Sequence, residues 1–111
     1  MTYPDSAELH INLTALQDNY DRLAREASGA QCAAVVKADG YGLGLEKVAT
    51  ALHEHGCTVF FVAQTGEAMA LRSLLPNAVI YVLNGLPDGA AAVPSMLVGM
   101  GGLWIFSTAL C

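Results

Sequence analysis

Basic residues are scarce in this sequence: five Lys and Arg stand against ten Asp and Glu, for a formal net charge of −5. Nucleic-acid binding draws its affinity from clustered Lys and Arg placed on phosphates, so no nucleic-acid partner is expected. Charge of either sign is sparse, at 14% of residues against 54% hydrophobic, a balance that excludes a disordered chain. Cysteine is limited to Cys32, Cys57 and Cys111, an odd number at wide spacing. Neither a disulfide framework nor a zinc-ligand spacing emerges, which points to a reducing, cytoplasmic compartment. Residues 1–8 contain no Lys or Arg and no apolar run, so no secretory signal is expected there. At 111 residues the chain suits one small domain and falls short of the ~250 residues of a closed eight-stranded α/β barrel.

What is present alternates in period. Residues 9–13 alternate apolar and polar, a strand pattern. Thr14, with Gln17 three residues later, then offers a capping box. Leu16, Tyr20, Leu23, Ala24 and Ala27 follow at helical spacing, and Gly29 offers a stop. Residues 32–36 form a small and β-branched run, expected as a strand buried on both faces. Residues 45–55 read as a second amphipathic helix closed by Gly56, and 58–63 as another apolar strand. A helix over 66–75 follows, stopped by Pro76, with Thr65 as its cap and Glu67 suited to its positive end. Residues 79–83 read as a third apolar strand. Apolar strands alternating with amphipathic helices imply parallel pairing and an α/β fold. Periodicity alone leaves an open doubly wound sheet and the opening of a barrel equally available.

The segment most telling of chemistry is Val35-Val36-Lys37-Ala38-Asp39-Gly40-Tyr41-Gly42-Leu43-Gly44. Lysine is rarely buried, so one that ends a buried strand is unusual, whereas residues at the carboxyl end of a barrel strand point into the mouth where active sites form. A lysine there can act as a neutral amine and form a Schiff base. Glycines allow a sharp turn or close approach of a bulky ligand, and Tyr41 offers a flat ring and a phenol. Taken alone, each residue has a plainer reading: a solvated lysine, a packing tyrosine, and at Leu83 a core leucine. The three glycines lack the Gly-x-Gly-x-x-Gly spacing of a dinucleotide loop. His53 and His55 lie two apart on a helix, where ligands to one metal need three or four, so no metal site is expected.

This segment resembles the pyridoxal-phosphate attachment motif of alanine racemases, Val-x-Lys-Ala, Asp or Asn, Gly or Ala, Tyr-Gly-His-Gly, at every position except Leu43, where the family has histidine. Ile11-Asn12-Leu13-Thr14-Ala15-Leu16 with Asn19 is similar to the family's first strand and helix. Phe61-Val62-Ala63, Glu67-Ala68, Leu71-Arg72 and Tyr81-Val82-Leu83-Asn84-Gly85 resemble the next strand, helix and strand. The resemblance covers residues 8–89 and implies an α/β fold, the amino-terminal part of a TIM-type (β/α)8 barrel, incomplete in this chain. It implies that Lys37 is the catalytic lysine that bonds pyridoxal phosphate and serves as acid or base on one face of the substrate α-carbon. Tyr41 would lie against the cofactor near its phosphate, and Leu83 would help line its pocket. The activity implied is interconversion of L- and D-alanine for peptidoglycan synthesis, by a cytoplasmic homodimer whose opposite-face base is a tyrosine of the partner subunit's carboxyl-terminal domain.

No residue here matches that second base, so the 111 residues alone are expected to be an inactive portion of the enzyme. Two alternatives stay open: a related racemase for another amino acid such as serine, and a non-catalytic cofactor-binding remnant or interaction module. The boundaries expected are a partial barrel domain over 1–89 and an apolar tail over 90–111. That tail carries no charged residue and no clear period, which suggests a shifted reading frame or premature termination. Pro94 and the glycines at 99, 101 and 102 weaken a membrane helix there, so no membrane partner is expected.

Overall fold

The computed structural model describes residues 7–85 and the backbone of 98–99; the remainder of the tail over 90–111 lies outside the described residues. Residues 9–12 form no strand, and Leu9 and Ile11 are exposed, because no neighbouring strand among the described residues pairs with them. Helix α1 spans Leu13–Glu26. Its N-cap is Asn12, whose Oδ1 accepts from the Ala15 N–H at 2.9 Å, so the cap falls two residues before Thr14. Gln17 does not close a box on the helix start; its amide donates across to the Ala51 carbonyl at 2.9 Å. The helix ends at Ala27, and Ser28 and Gly29 reverse the chain with φ of 46° and 91°.

Strand β1, Ala34–Val35, leads into a single turn, α2, Lys37–Tyr41. Helix α3, Leu45–Glu54, strand β2, Val59–Val62, helix α4, Thr65–Leu74, and strand β3, Val79–Val82, follow in alternation. Gln64 rather than Thr65 caps α4, in a capping box in which its side chain accepts from Glu67 N–H and the Glu67 carboxylate accepts from Gln64 N–H. Arg72, in the last turn of α4, donates from Nη1 to the carbonyls of Leu75, Pro76 and Ala78 at 3.3, 2.8 and 2.6 Å. These carbonyls lie where the chain turns toward β3, so the guanidinium ties the end of α4 to the entry of that strand. A short β4, Val98–Gly99, completes the sheet.

All strand pairs are parallel and the order is β1-β2-β3-β4, with Ala34 opposite Phe60, Phe60 opposite Ile80, and Tyr81 opposite Val98. Strands that follow one another across the sheet in chain order, joined by helices, form the opening of an α/β barrel. A doubly wound sheet instead reverses its order at a switch point. Helix α3 packs against both α1 and α4, and α4 lies against β2 and β3, so the helices share one face of the sheet.

Because successive strand residues point to opposite faces, that arrangement sorts the strands residue by residue. Ala34, Val36, Phe60, Val62, Ile80 and Val82 are buried among Leu45, Val48, Leu52, Ala68 and Leu71. Each large side chain in that layer contributes about 1.5–3 kcal/mol by leaving water. Val35, Phe61 and Tyr81 are only half-buried, and Val79 and Leu83 are exposed. In the run over 32–36 the helix-facing Cys32, Ala34 and Val36 are buried, while on the opposite face Ala33 is buried and Val35 only half-buried. Tyr20, from α1, reaches into the layer and donates its hydroxyl to the Cys32 carbonyl at 3.2 Å. Burial, with the Cys57 sulfur next in weight, pushes its phenol up to about 12, and burial likewise pushes the Cys57 thiol up.

Candidate functional site

Lys37 stands one residue past the buried Val36, where β1 meets the face of the sheet left open by the helices. Its side chain is half-buried, and Nζ lies 6.0 Å from the centre of the Tyr41 ring. That distance is the outer limit of a cation–π contact. No salt bridge among the described residues involves Lys37. Tyr41 is 60% exposed, so much of its side chain is open to a ligand.

The two residues are brought together by an unusual piece of backbone. Ala38, Asp39 and Gly40 have φ/ψ of 53°/49°, 55°/46° and 64°/41°, and Tyr41 has φ of 56°. These are left-handed helical values, which L-residues normally visit singly, at about 1–2 kcal/mol for each non-glycine residue. The turn closes on itself through Gly40 N–H to Val36 O at 3.0 Å and Gly42 N–H to Ala38 O at 2.8 Å. Gly40 is favoured by its φ of +64°; a Cβ there would come into contact with Val48, 3.4 Å from its Cβ and Cγ2.

Two carboxylates hold this turn at its ends. The Ala38 N–H, which the turn's own bonds leave unused, donates to Glu67 Oε2 at 2.6 Å. The other oxygen of Glu67 accepts from Ala63 N–H at 3.1 Å and from Gln64 N–H at 2.9 Å. At the far end Asp39 Oδ1 accepts from Leu45 N–H at 2.8 Å and so caps α3, whose own N-cap position is Gly44 and has no side chain to offer. In the sequence Glu67 is expected only at the positive end of a helix. The one available signal was its spacing three residues after Gln64, which says nothing of a bond to Ala38.

Leu83 lies one step past β3, its N–H bonded to Val62 O at 2.8 Å, and is 49% exposed on the open side. Lys37 and Tyr41 are thus adjacent, while Leu83 is separated from them by the width of β2. Between the two, Phe61 and Tyr81 stack with ring centres 4.9 Å apart and planes at 19°. The site is an amine beside one ring at the carboxyl ends of parallel strands, over an aromatic floor. Such a site suits a flat, carbonyl-bearing ligand. His53 and His55 lie elsewhere: His53 Nδ1 is 3.0 Å from the Cys57 carbonyl, and His55 Nδ1 is 2.8 Å from Asp21.

Comparison with known proteins gives the same direction. The family model "Alanine racemase, N-terminal domain" matches residues 11–96. Alanine racemase of Methylobacterium sp. (strain 4-46) is 58% identical over 90 residues, 81% of this chain and 25% of that protein. Alanine racemase of Brucella ovis is 53% identical over 85 residues, 76% of this chain and 22% of that protein. Among solved structures, alanine racemase from Bartonella henselae with covalently bound pyridoxal phosphate superposes with a TM-score of 0.76 at 42% identity, covering 80% of this chain and 27% of that one. Alanine racemase from E. faecalis superposes with a TM-score of 0.71 at 32% identity, covering 76% of this chain and 23% of that one. The chain spans about a quarter of the length of the curated relatives it matches. No helix among the described residues is long and apolar enough to cross a membrane.

Proposed function

Because the chain belongs to the family of alanine racemase N-terminal domains, we propose that it carries the cofactor-bearing opening of the barrel in a pyridoxal-phosphate-dependent alanine racemase. The observation that carries this reading is Lys37, half-buried at the end of β1 with Nζ 6.0 Å from the Tyr41 ring and no salt bridge among the described residues. The residues present fit the group. An amine that no carboxylate among the described residues engages is available to an aldehyde, and the exposed Tyr41 ring and the Phe61–Tyr81 stack offer flat apolar surface to a pyridine ring.

Bound there, pyridoxal phosphate supplies an electron sink for the carbanion left when the α-proton of an amino acid departs. The remaining work belongs to the chain. Lys37 holds the cofactor and carries a proton at Nζ on one face of the substrate α-carbon. Tyr41 limits the ring's position on the side of the left-handed turn, and Leu83 walls the open face from the third strand. Racemisation requires a second acid or base on the opposite face. On this reading that group is contributed by the partner subunit of a cytoplasmic homodimer, and the product is D-alanine for peptidoglycan.

The test uses the full chain, pyridoxal phosphate and borohydride, followed by mass analysis of peptides. The cofactor mass should appear on Lys37 and be absent from Lys37→Ala, while L-alanine is not converted to D-alanine by the 111 residues alone. A chain that takes no cofactor at Lys37 overturns the reading. Measurable D-alanine would overturn the division of the two acid/base groups between subunits.

A further inference from the structure

We propose that Glu67 is a positioning residue for Lys37, holding the lysine's own peptide bond in the orientation that aims Nζ along Tyr41; this rests on the cofactor reading of Lys37 given above. Glu67 is in the first turn of α4, after β2, whereas Lys37 and Ala38 follow β1, so the carboxylate ties together the loops after two neighbouring strands. One oxygen is occupied by Ala63 and Gln64 N–H at 3.1 and 2.9 Å, the other by Ala38 N–H at 2.6 Å. The Ala38 amide is half of the peptide unit whose other half is the Lys37 carbonyl. A peptide unit is planar, so fixing its N–H fixes the plane from which the Lys37 side chain departs.

The need for such a brace follows from the turn. Ala38 is the first of the left-handed residues, and strained backbone persists only where its surroundings over-determine it. The bonds inside the turn begin at Gly40 N–H, leaving Ala38 N–H with Glu67 as its partner. A carboxylate is suited to the task because both its oxygens only accept, and together they have room for three N–H donors. A glutamine of the same shape presents an acceptor to one loop and a donor to the other, so it can satisfy Ala38 or the Ala63–Gln64 pair but not both. An aspartate lacks the methylene that spans the gap.

The chain provides an internal reference for the test. Its lysines are Lys37 and Lys47, and Lys47 is exposed on α3. Full-length wild type, Glu67→Gln, Glu67→Asp and Glu67→Ala are incubated with limiting pyridoxal phosphate. Borohydride then fixes the cofactor to whichever amine has condensed with it, with loss of water. The ratio of label on Lys37 to label on Lys47 is read by mass, and amide hydrogen exchange at Ala38 is read in parallel without cofactor. Ile80→Val serves as a control that lowers stability from the core without touching either loop.

Positioning by Glu67 requires that the ratio fall about tenfold in Glu67→Gln and at least as far in the Asp and Ala variants, as expected for a reactive group displaced by a fraction of an ångström to an ångström. Exchange at Ala38 should accelerate in all three, and Ile80→Val should leave the ratio at the wild-type value. If wild type prefers Lys37 and the Glu67 variants keep that preference, Glu67 does not position it and the inference is overturned. The inference is equally overturned if Ile80→Val lowers the ratio as much, since loss of stability then suffices. If wild type itself labels both lysines equally, the cofactor reading of Lys37 fails, and Glu67 loses its role with it.

Discussion

After β2 the chain passes through Ala63 and Gln64 and is already in α4; after β1 it travels over residues 36–44, through a left-handed turn, before α3 begins. The β2 junction is built from local chemistry. Gln64 and Glu67 exchange capping bonds across one helical turn, and Gly66 sits at an ordinary φ with open space around it. The β1 junction is built against local preference, with three non-glycine residues at positive φ and a helix cap, Asp39, borrowed from six residues upstream. Only the second of these arrangements places an amine and a ring side by side over the open face of the sheet. The strain is concentrated at the site, and its support is drawn from the neighbouring, unstrained junction through Glu67.

Substituting the glycine of each junction by valine gives the largest expected contrast. At Gly40 a β-branched side chain meets φ of +64° and a Cβ position 3.4 Å from Val48, so Gly40→Val should cost about 3 kcal/mol through left-handed strain and overpacking together. At Gly66 nothing lies within 4 Å, and Gly66→Val should change stability by no more than about 0.5 kcal/mol. Urea unfolding of the two variants measures both. Equal losses would mean that the turn after β1 is not under the constraint its dihedrals describe.

Both junctions rest on one apolar layer, and titrating that layer checks that their difference is local. Tyr20 is held by burial with its phenol near 12, above its ordinary 10.0, and Cys57 is raised by burial as well. A raised pKa in the folded state means that each neutral group adds stability below its unfolded pKa. That stability is lost as pH rises through the folded value. The urea midpoint should therefore fall between pH 10 and 12. Tyr20→Phe should fall less over that range, at a cost of about 1 kcal/mol near neutrality for the lost bond to Cys32 O. A midpoint with the same alkaline dependence in both proteins would show that Tyr20 titrates as a solvated phenol.

Much of this architecture is legible in the sequence, and the illegible parts have physical causes. The alternation of β-branched runs with helical spacing from residue 32 to 83 places β1, β2, β3, α3 and α4 to within a residue or two, while α2 falls in the glycine-rich turn, where no helix is expected. The strand order is not in that pattern, because Ala34, Val35 and Val36 are apolar whichever face is covered. The helix caps at Asn12 and Gln64 fall within two residues of Thr14 and Thr65, which also carry a side-chain acceptor, and only the φ/ψ of the chain decides among them. The alternating residues 9–13 show the limit of pattern, since a strand also needs a partner. Lys37 and Tyr41 stand out through their motif, whereas the bond from Glu67 to Ala38 spans residues too far apart for any local spacing to reveal. Nor do alanine, aspartate and tyrosine announce a left-handed turn.

The smallest expected effect tests that turn most directly. Ala38→Gly removes the Cβ that makes φ of +53° costly, which returns about 1 kcal/mol to the folded state. Glycine also frees the unfolded chain, which withdraws about 0.5–1 kcal/mol. The two nearly cancel, so the net change should be within about 0.5 kcal/mol of zero. Ala70→Gly, at an exposed position within α4, has only the second term and the lost helix propensity, and should cost about 1 kcal/mol. The same chemical change thus separates the two junctions by its sign balance rather than by its size. If both variants lose the same stability, Ala38 is not held left-handed in solution, and the peptide joining it to Lys37 is free of the constraint that the β1 junction imposes.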